Sequence, residues 1–412
     1  MLNNYIKLAL KVLGRRKFFT FISLFGISMT LVVLMLATAI LDNVFVPRAP
    51  ESRFDRALTV YSMSMTNAEG TSRRTGQPGY RFLDTHLRNL PGTEDVTIFS
   101  SAAPLPMYAN GRKIETHLRR TDASYWQILD HTFIEGSPFT KADADEGRFV
   151  AVITDDMRDQ LFGGAPALGK SIDVDGQRFR VVGVVRSVPI TRIAGFSEIW
   201  APIKTVKDPE FLRRNMDGFG GVVLARSEDD FPAMRAEFAA RVKALRPEDP
   251  RYEVVRTGLD TTFEAVARLF FQDAEGGVRI LRIVLTIATL LFITLPTLNL
   301  ITINLSRIME RASEIGVRKA FGASSRTLVG QFIVENVVLT LIGGIVGFAL
   351  ALIAINALNN LSIIPYARFD VNFRIFAWGM LTAALFGVIS GAYPAWRMSR
   401  LQAVQALRGG AA

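Results

Sequence analysis

Four stretches of this 412-residue chain are long enough and apolar enough to cross a bilayer. Phe18 to Ile40 has no charged residue over 23 positions, Ile283 to Ser306 none over 24, and Ile375 to Trp396 none over 22. Between Arg326 and Arg368 the only charge is Glu335. About 20 apolar residues in a helix cover a hydrocarbon core of roughly 30 Å. The sequence therefore predicts an α-helical membrane protein with four transmembrane helices, at 18–41, 279–305, 328–358 and 375–396. The first run follows five basic residues, as a signal peptide would. It is too long for a signal core, however, and Asp42-Asn43-Val44-Phe45 follows it in place of a small-residue cleavage site.

Composition is informative only in this frame. A net charge of +10 would by itself suggest nucleic acid. With 49% hydrophobic residues, 29 Phe and a mean hydropathy of +0.24, the chain is neither disordered nor an ordinary basic soluble domain. The charge has an address instead. Segment 1–17 carries +5, segment 306–327 carries +3 and segment 397–412 carries +3, whereas 42–278 carries −3. By the excess of Lys and Arg in cytoplasmic loops, the three basic segments lie inside and both termini are cytoplasmic. Residues 42–278 then form one large extracytoplasmic domain between helices 1 and 2, and 359–374 a short external loop. No nucleic-acid partner is expected. There is no Cys, and His86, His117 and His131 lack metal-ligand spacing, so no metal site and no catalytic set is expected.

The external segment alternates strand and helix signals, which predicts an α+β fold. Arg148–Thr154 reads as a strand and Asp156–Phe162 as a short helix. Ser171–Val185 reads as a hairpin turning at Asp175-Gly176. Asp230–Leu245 reads as a helix. Leu259–Asp273 has helical apolar spacing and leads towards the second span as a stalk. Gly164-Ala-Pro-Ala-Leu-Gly169-Lys170-Ser171 matches the phosphate-loop pattern letter for letter. That loop needs a buried strand before it and a helix after it. Here the order is reversed, and the segment is read as a turn entering the hairpin.

Arg311-Ala-Ser-Glu-Ile-Gly-Val-Arg-Lys-Ala-Phe-Gly-Ala-Ser-Ser-Arg-Thr-Leu328, Gln331-Phe-Ile-Val-Glu335 and the closing Gly391-Ala-Tyr-Pro-Ala-Trp-Arg-Met-Ser-Arg-Leu-Gln-Ala-Val-Gln-Ala-Leu-Arg408 resemble the permease domain of the MacB/FtsX type of ABC transporter. Thr121-Asp-Ala-Ser-Tyr-Trp126, Gly136-Ser-Pro-Phe139, Leu161-Phe-Gly-Gly164, Leu168-Gly-Lys170 and Val181-Val-Gly-Val184 are similar to the MacB-type periplasmic core domain. The resemblance covers nearly the whole chain and implies a permease of the bacterial inner membrane. MacB itself carries a fused ATPase domain, for which the segments assigned here leave no room. A separate cytoplasmic ABC ATPase is therefore the implied partner. ATP and Mg belong to that partner, and no cofactor is expected in this chain.

The resemblance also assigns roles. Glu314, Ile315, Gly316, Val317, Arg318, Lys319, Phe321 and Gly322 become a coupling helix that docks on the ATPase. Without it, the segment would read as a solvated connector held by pairs such as Glu314–Arg318. Gly343 and Gly347 in the third span let helices approach closely, either within one chain or between two. Gly26 and Thr30 have the same spacing, and the resemblance favours dimerisation there, with a second copy or a related permease. Glu335 is expected to snorkel to the cytoplasmic interface. No water-lined row of charges marks a substrate pore, which favours mechanotransmission: ATP-driven motion of the external domain.

Export of small molecules or peptides through a periplasmic adaptor and an outer-membrane channel is the leading expectation. Lipoprotein release and FtsX-like regulation of cell-wall hydrolases share the architecture. A membrane enzyme has no nucleophile set or carboxylate pair to support it.

Overall fold

The computed structural model describes residues 2–15, 17–109, 111–247, 249–271, 276–291, 294, 317, 321 and 324–399. It divides into a helical unit, 1–43 with 283–363 and 368–412, and an α+β unit, 44–282 with 364–367.

In the helical unit, α1 (Leu2–Arg15) precedes α2 (Lys17–Phe45). Sequence reading assigned α1 no structure. Its Ala9 and Leu13 are buried, while Lys7, Lys11 and Arg15 are exposed. Both sets recur every four residues, which is an amphipathic helix. Two further helices follow, Ser325–Leu361 and Phe373–Ser399. The Ser324 hydroxyl caps the first of these by accepting the Thr327 N–H at 3.2 Å. Among the described residues two helices are long and apolar enough to cross a membrane, Lys17–Phe45 and Val329–Leu361, with Phe373–Leu385 as a shorter apolar helix. The expected span at 279–305 begins within helical 276–291 and runs on largely outside the described residues.

In the α+β unit, the strands in chain order are β1 (Ala57–Val60), β2 (Met63–Thr66), β3 (Arg73–Gly76), β4 (Thr93–Ser100), β5 (Ala103–Ala109), β6 (Arg112–Thr121) and β7 (Phe133–Gly136). They continue with β8 (Val150–Thr154), β9 (Ser171–Val174), β10 (Gln177–Val185), β11 (Ile199–Pro202), β12 (Phe219–Ala225) and β13 (Val254–Thr257). The larger sheet has the order β1-β12-β4-β6-β11-β8-β10-β7, with β5 on β6 and β9 on β10. A smaller sheet runs β13-β2-β3. The helices are α3 (Tyr80–Leu87), α4 (Tyr125–Ile128), α5 (Lys141–Glu146), α6 (Asp155–Phe162), α7 (Phe231–Ala244) and α8 (Thr262–Phe271).

Strand β8 shows why this sheet forms. All five of its residues are buried. Val150 and Val152 enter a cluster with Tyr125, Trp200 and Val185, while Ala151 and Ile153 enter another with Met157, Ile172 and Phe179. Side chains alternate faces along a strand, so a continuous apolar run needs a core on both sides. Strand β12 does the same: Val222 and Leu224 join the first cluster, Val223 and Ala225 a third around Phe82, Leu83 and Phe238.

The local predictions in this unit hold. Strand β8 pairs in parallel with β10, and α6 follows β8 directly. The Thr154 side chain caps α6 by accepting the Met157 N–H, and Gly163, at φ +61, ends it. The β9–β10 hairpin turns at Asp175 (φ +52) and Gly176 (φ +64), the two left-handed residues that a type I′ turn requires. The phosphate-loop look-alike is the connection from α6 to β9.

Candidate helix-packing and coupling sites

The helical unit is built on close approach. The Ser28 hydroxyl donates to the Gly343 carbonyl at 2.8 Å. A Cβ at Gly343 would lie 2.9 Å from Ile27 Cγ2, and one at Gly347 would lie 3.0 Å from both the Cα and the carbonyl oxygen of Ser28. Residues 343 and 347 therefore face α2 of the same chain, the within-chain alternative. Leu13, Ile27, Leu31 and Leu339 close the contact with an apolar cluster. Sequence reading missed two further close approaches. A Cβ at Gly344 would collide with Met380, and one at Gly379 would lie 3.0 Å from Leu34 Cδ2. Their only sequence signal was a glycine inside an apolar run. Glu335 is 3% exposed, next to buried Asn336 and Thr340, so the chain's own packing encloses the charge expected at the interface.

Gly26 and Thr30 are one turn apart on α2, and the Thr30 hydroxyl donates to the Gly26 carbonyl at 2.7 Å. The neighbouring face of α2 shows Phe18, Phe21, Phe25 and Met29, each roughly half exposed or more.

Of the coupling residues, Val317 and Phe321 are described. Phe321 N–H donates to the Val317 carbonyl at 3.1 Å, closing one turn, and Phe321 is 88% exposed. Glu314, Ile315, Gly316, Arg318, Lys319 and Gly322 lie outside the described residues.

The α+β unit holds a buried polar cluster that sequence reading did not find. Arg119, 3% exposed, donates from Nη2 to the Ile193 carbonyl at 2.9 Å, and its guanidinium sits 4.6 Å over the Phe99 ring. The Tyr125 hydroxyl donates to the Ala194 carbonyl at 2.9 Å and accepts Trp200 Nε1–H at 3.0 Å. Glu51 accepts the N–H groups of Ala194 and Gly195 at 3.1 and 2.9 Å. Burial pushes the Glu51 carboxyl up despite Arg192 at 3.7 Å, and it pushes the Tyr125 hydroxyl up to about 12. Burial lowers His131, stacked on Tyr125, to about 3. It raises Asp122 to about 6, although Asp122 accepts from the Thr97 hydroxyl and from two backbone N–H groups. The links from Glu51 and from 119–125 to 193–200 span about 70 residues or more, so pattern alone carries no signal of them. The cluster fixes the backbone at 192–195.

The predicted stalk helix α8 is bolted to its unit by two ion pairs. Arg268 chelates buried Asp260, with Nη2 2.8 Å from Oδ1. Arg235 of α7 makes a two-pronged pair with Glu264, which also completes a capping box with Thr261. A cavity of about 790 Å³ opens between α7, β13 and α8.

Comparison with known proteins places this architecture. Residues 20–241 match the MacB-like periplasmic core domain, and residues 286–403 match the FtsX-like permease C-terminal. The chain is 25% identical over 334 residues to an uncharacterized ABC transporter permease, YknZ, of Bacillus subtilis (strain 168), covering 79% of each. It is 25% identical over 314 residues to the macrolide export ATP-binding/permease protein MacB of Mannheimia succiniciproducens, covering 76% of this chain and 46% of that one. It thus spans about half the length of MacB. The crystal structure of the extracellular domain of YknZ aligns with a TM-score of 0.37 and 19% identity, covering 48% of this chain and 98% of that one. With a MacB-like periplasmic core domain over more than half its length and an FtsX-like domain behind it, the chain belongs to the MacB/FtsX family of ABC transporter permeases.

Proposed function

We infer that this permease works by mechanotransmission. A separate cytoplasmic ATPase binds it, and ATP-driven movement of its helices moves the periplasmic domain without cargo passing through the spans. The observation that carries this reading is the position of Phe321. It stands three residues before Ser324, the cap of the 37-residue helix Ser325–Leu361, and 88% of its surface is exposed. A large exposed aromatic side chain is the usual anchor of a docking interface. A capped helix that packs through Gly343 and Gly347 onto α2 is a stiff lever behind that anchor.

The rest of the reading follows the charge asymmetry and the relatives. Four spans put both termini and segment 306–327 in the cytoplasm. The permease acts as a dimer through the Gly26–Thr30 face of α2. The cargo is a small molecule or peptide passed to an adaptor and an outer-membrane channel, in line with the export named for the MacB relatives. Mild-detergent affinity purification tests the reading. An ABC ATPase recovered with the wild type and depleted several-fold with Phe321→Ala is the expected result; recovery of no ATPase at all overturns it.

A further inference from the structure

The connection between helices Ser325–Leu361 and Phe373–Ser399 runs against its own sequence preference. Ala367 N–H donates to the Ile364 carbonyl at 3.1 Å, which closes a four-residue turn with Pro365 second and Tyr366 third. Tyr366 adopts φ +61. A type II turn requires a left-handed third residue, and glycine or asparagine normally supplies it. A bulky aromatic residue there is strained, and such strain persists only where the surroundings over-determine it.

Those surroundings lie in the α+β unit, to which residues 364–367 belong. The Tyr366 hydroxyl is 2.8 Å from Asp156 Oδ2 and 3.0 Å from Glu198 Oε1. Asp156 is in the first turn of α6, and Glu198 immediately precedes β11. Both acids have a second partner, Glu198 on its other oxygen and Asp156 on the same Oδ2. Glu198 Oε2 accepts the His117 N–H at 2.9 Å and faces His117 Nδ1 at 3.3 Å, and Asp156 accepts Gln160 Nε2–H. Burial first, and then the two acids, push Tyr366 ionisation far above its usual range, so the hydroxyl stays a neutral donor. Its single proton can serve either carboxylate in turn. The base of the connection is closed separately within the helical unit. Asn359 and Phe369 exchange two hydrogen bonds, of 2.8 and 3.0 Å.

We propose that Tyr366 is a releasable tether: its hydroxyl, hooked between Asp156 and Glu198, holds the 364–367 turn on the rim formed by α6 and β11, so that displacement of the two flanking helices reaches that rim. The left-handed strain of Tyr366 opposes this shared hydrogen bond, which makes release accessible without unfolding either element. The role in transmission rests on the function inferred above; the contact stands without it.

Amide hydrogen exchange on the full chain in lipid nanodiscs, without nucleotide, tests the contact. Tyr366→Phe keeps the ring and the turn but removes the hydroxyl. Exchange at Ala367 should rise by about tenfold, the weight of a hydrogen bond to a charged group. Asp156→Ala with Glu198→Ala should also raise it, and adding Tyr366→Phe should then change nothing further. Unchanged exchange in Tyr366→Phe overturns the tether. Because no ATPase is present, failure of the mechanotransmission reading leaves this result as it is. Raised exchange with an unaltered ATPase rate in the co-purified complex would instead overturn the transmission role.

Discussion

The Ser28 hydroxyl donates a 2.8 Å hydrogen bond to the Gly343 carbonyl, across two helices that are more than 300 residues apart in sequence. Lipid offers no hydrophobic drive for helices to associate, so close packing and such bonds must hold them together. Gly343 and Gly347 permit the approach because a Cβ at either would meet α2 at 3.0 Å or less.

Gly347→Leu should therefore push the helices apart and destabilise the helical unit by ~1–3 kcal/mol, the usual cost of overpacking. Ser28→Ala should cost only about 0.6 kcal/mol. Unfolding of the purified protein in detergent, followed by cysteine accessibility at a site engineered into α2, measures both. The chain has no native Cys, so the readout is unambiguous. Equal stability of Gly347→Leu and wild type would contradict the packing account.

Asp122 and His131 should bend the pH dependence of the periplasmic domain in opposite directions. Asp122 titrates at about 6 when folded, against 3.8 unfolded. The folded state then holds more protons between pH 4 and 6, so this contribution falls as pH rises through that window. His131 titrates at about 3 when folded, against 6.5 unfolded. The unfolded state holds more protons there, so its contribution grows with pH between 3 and 6.5. Both side chains keep partial contact with water, which limits each effect to about 2 kcal/mol. Trp126 and Trp200 ring His131 and report unfolding by fluorescence. Relative to wild type, Asp122→Asn should gain stability on going from pH 4 to 6.5 and His131→Phe should lose it. Parallel profiles for the three proteins would contradict the assignment.

Asp260→Asn should loosen helix α8. It leaves Arg268, 12% exposed at its side chain, without its carboxylate. Removing one partner of a buried ion pair costs about 3–5 kcal/mol. Limited proteolysis near α8 should quicken by at least tenfold. Cleavage at the wild-type rate would show that the pair does not secure α8.

Lys170→Ala should leave nucleotide affinity unchanged, because the wild-type domain should have none. The Lys170 ammonium lies 4.5 Å over the Phe162 ring, and strand β9 follows it where a phosphate loop would start a helix. A stability loss of at most ~1 kcal/mol is expected from the lost cation–π contact. ATP binding that disappears in this variant, measured by calorimetry, would contradict the reading.

What the sequence made legible was whatever depends on neighbours along the chain. The β9–β10 hairpin was readable because Asp175-Gly176 separates two alternating arms, and α7 and α8 because apolar residues recur at helical spacing. Glycine spacing marked Gly343 and Gly347 as a close approach, but that they approach Ile27 and Ser28 depends on packing between helices far apart in sequence. The cluster of Glu51, Arg119 and Tyr125 was invisible because its members come from two distant segments, near 51 and at 119–125, and meet on backbone groups of a third, 193–195. Tyr366 was hidden for a second reason. A tyrosine in a left-handed turn position contradicts local preference, so only tertiary partners account for it.

Coupling to an ATPase through Phe321 is the claim on which the function rests. The direct measurement is the ATP hydrolysis rate of the co-purified complex in nanodiscs, with wild type against Phe321→Ala and membrane insertion checked in parallel. The account predicts at least a fivefold fall in permease-stimulated hydrolysis, on the scale of losing one interface anchor, with insertion intact. Stimulation equal to wild type would contradict it.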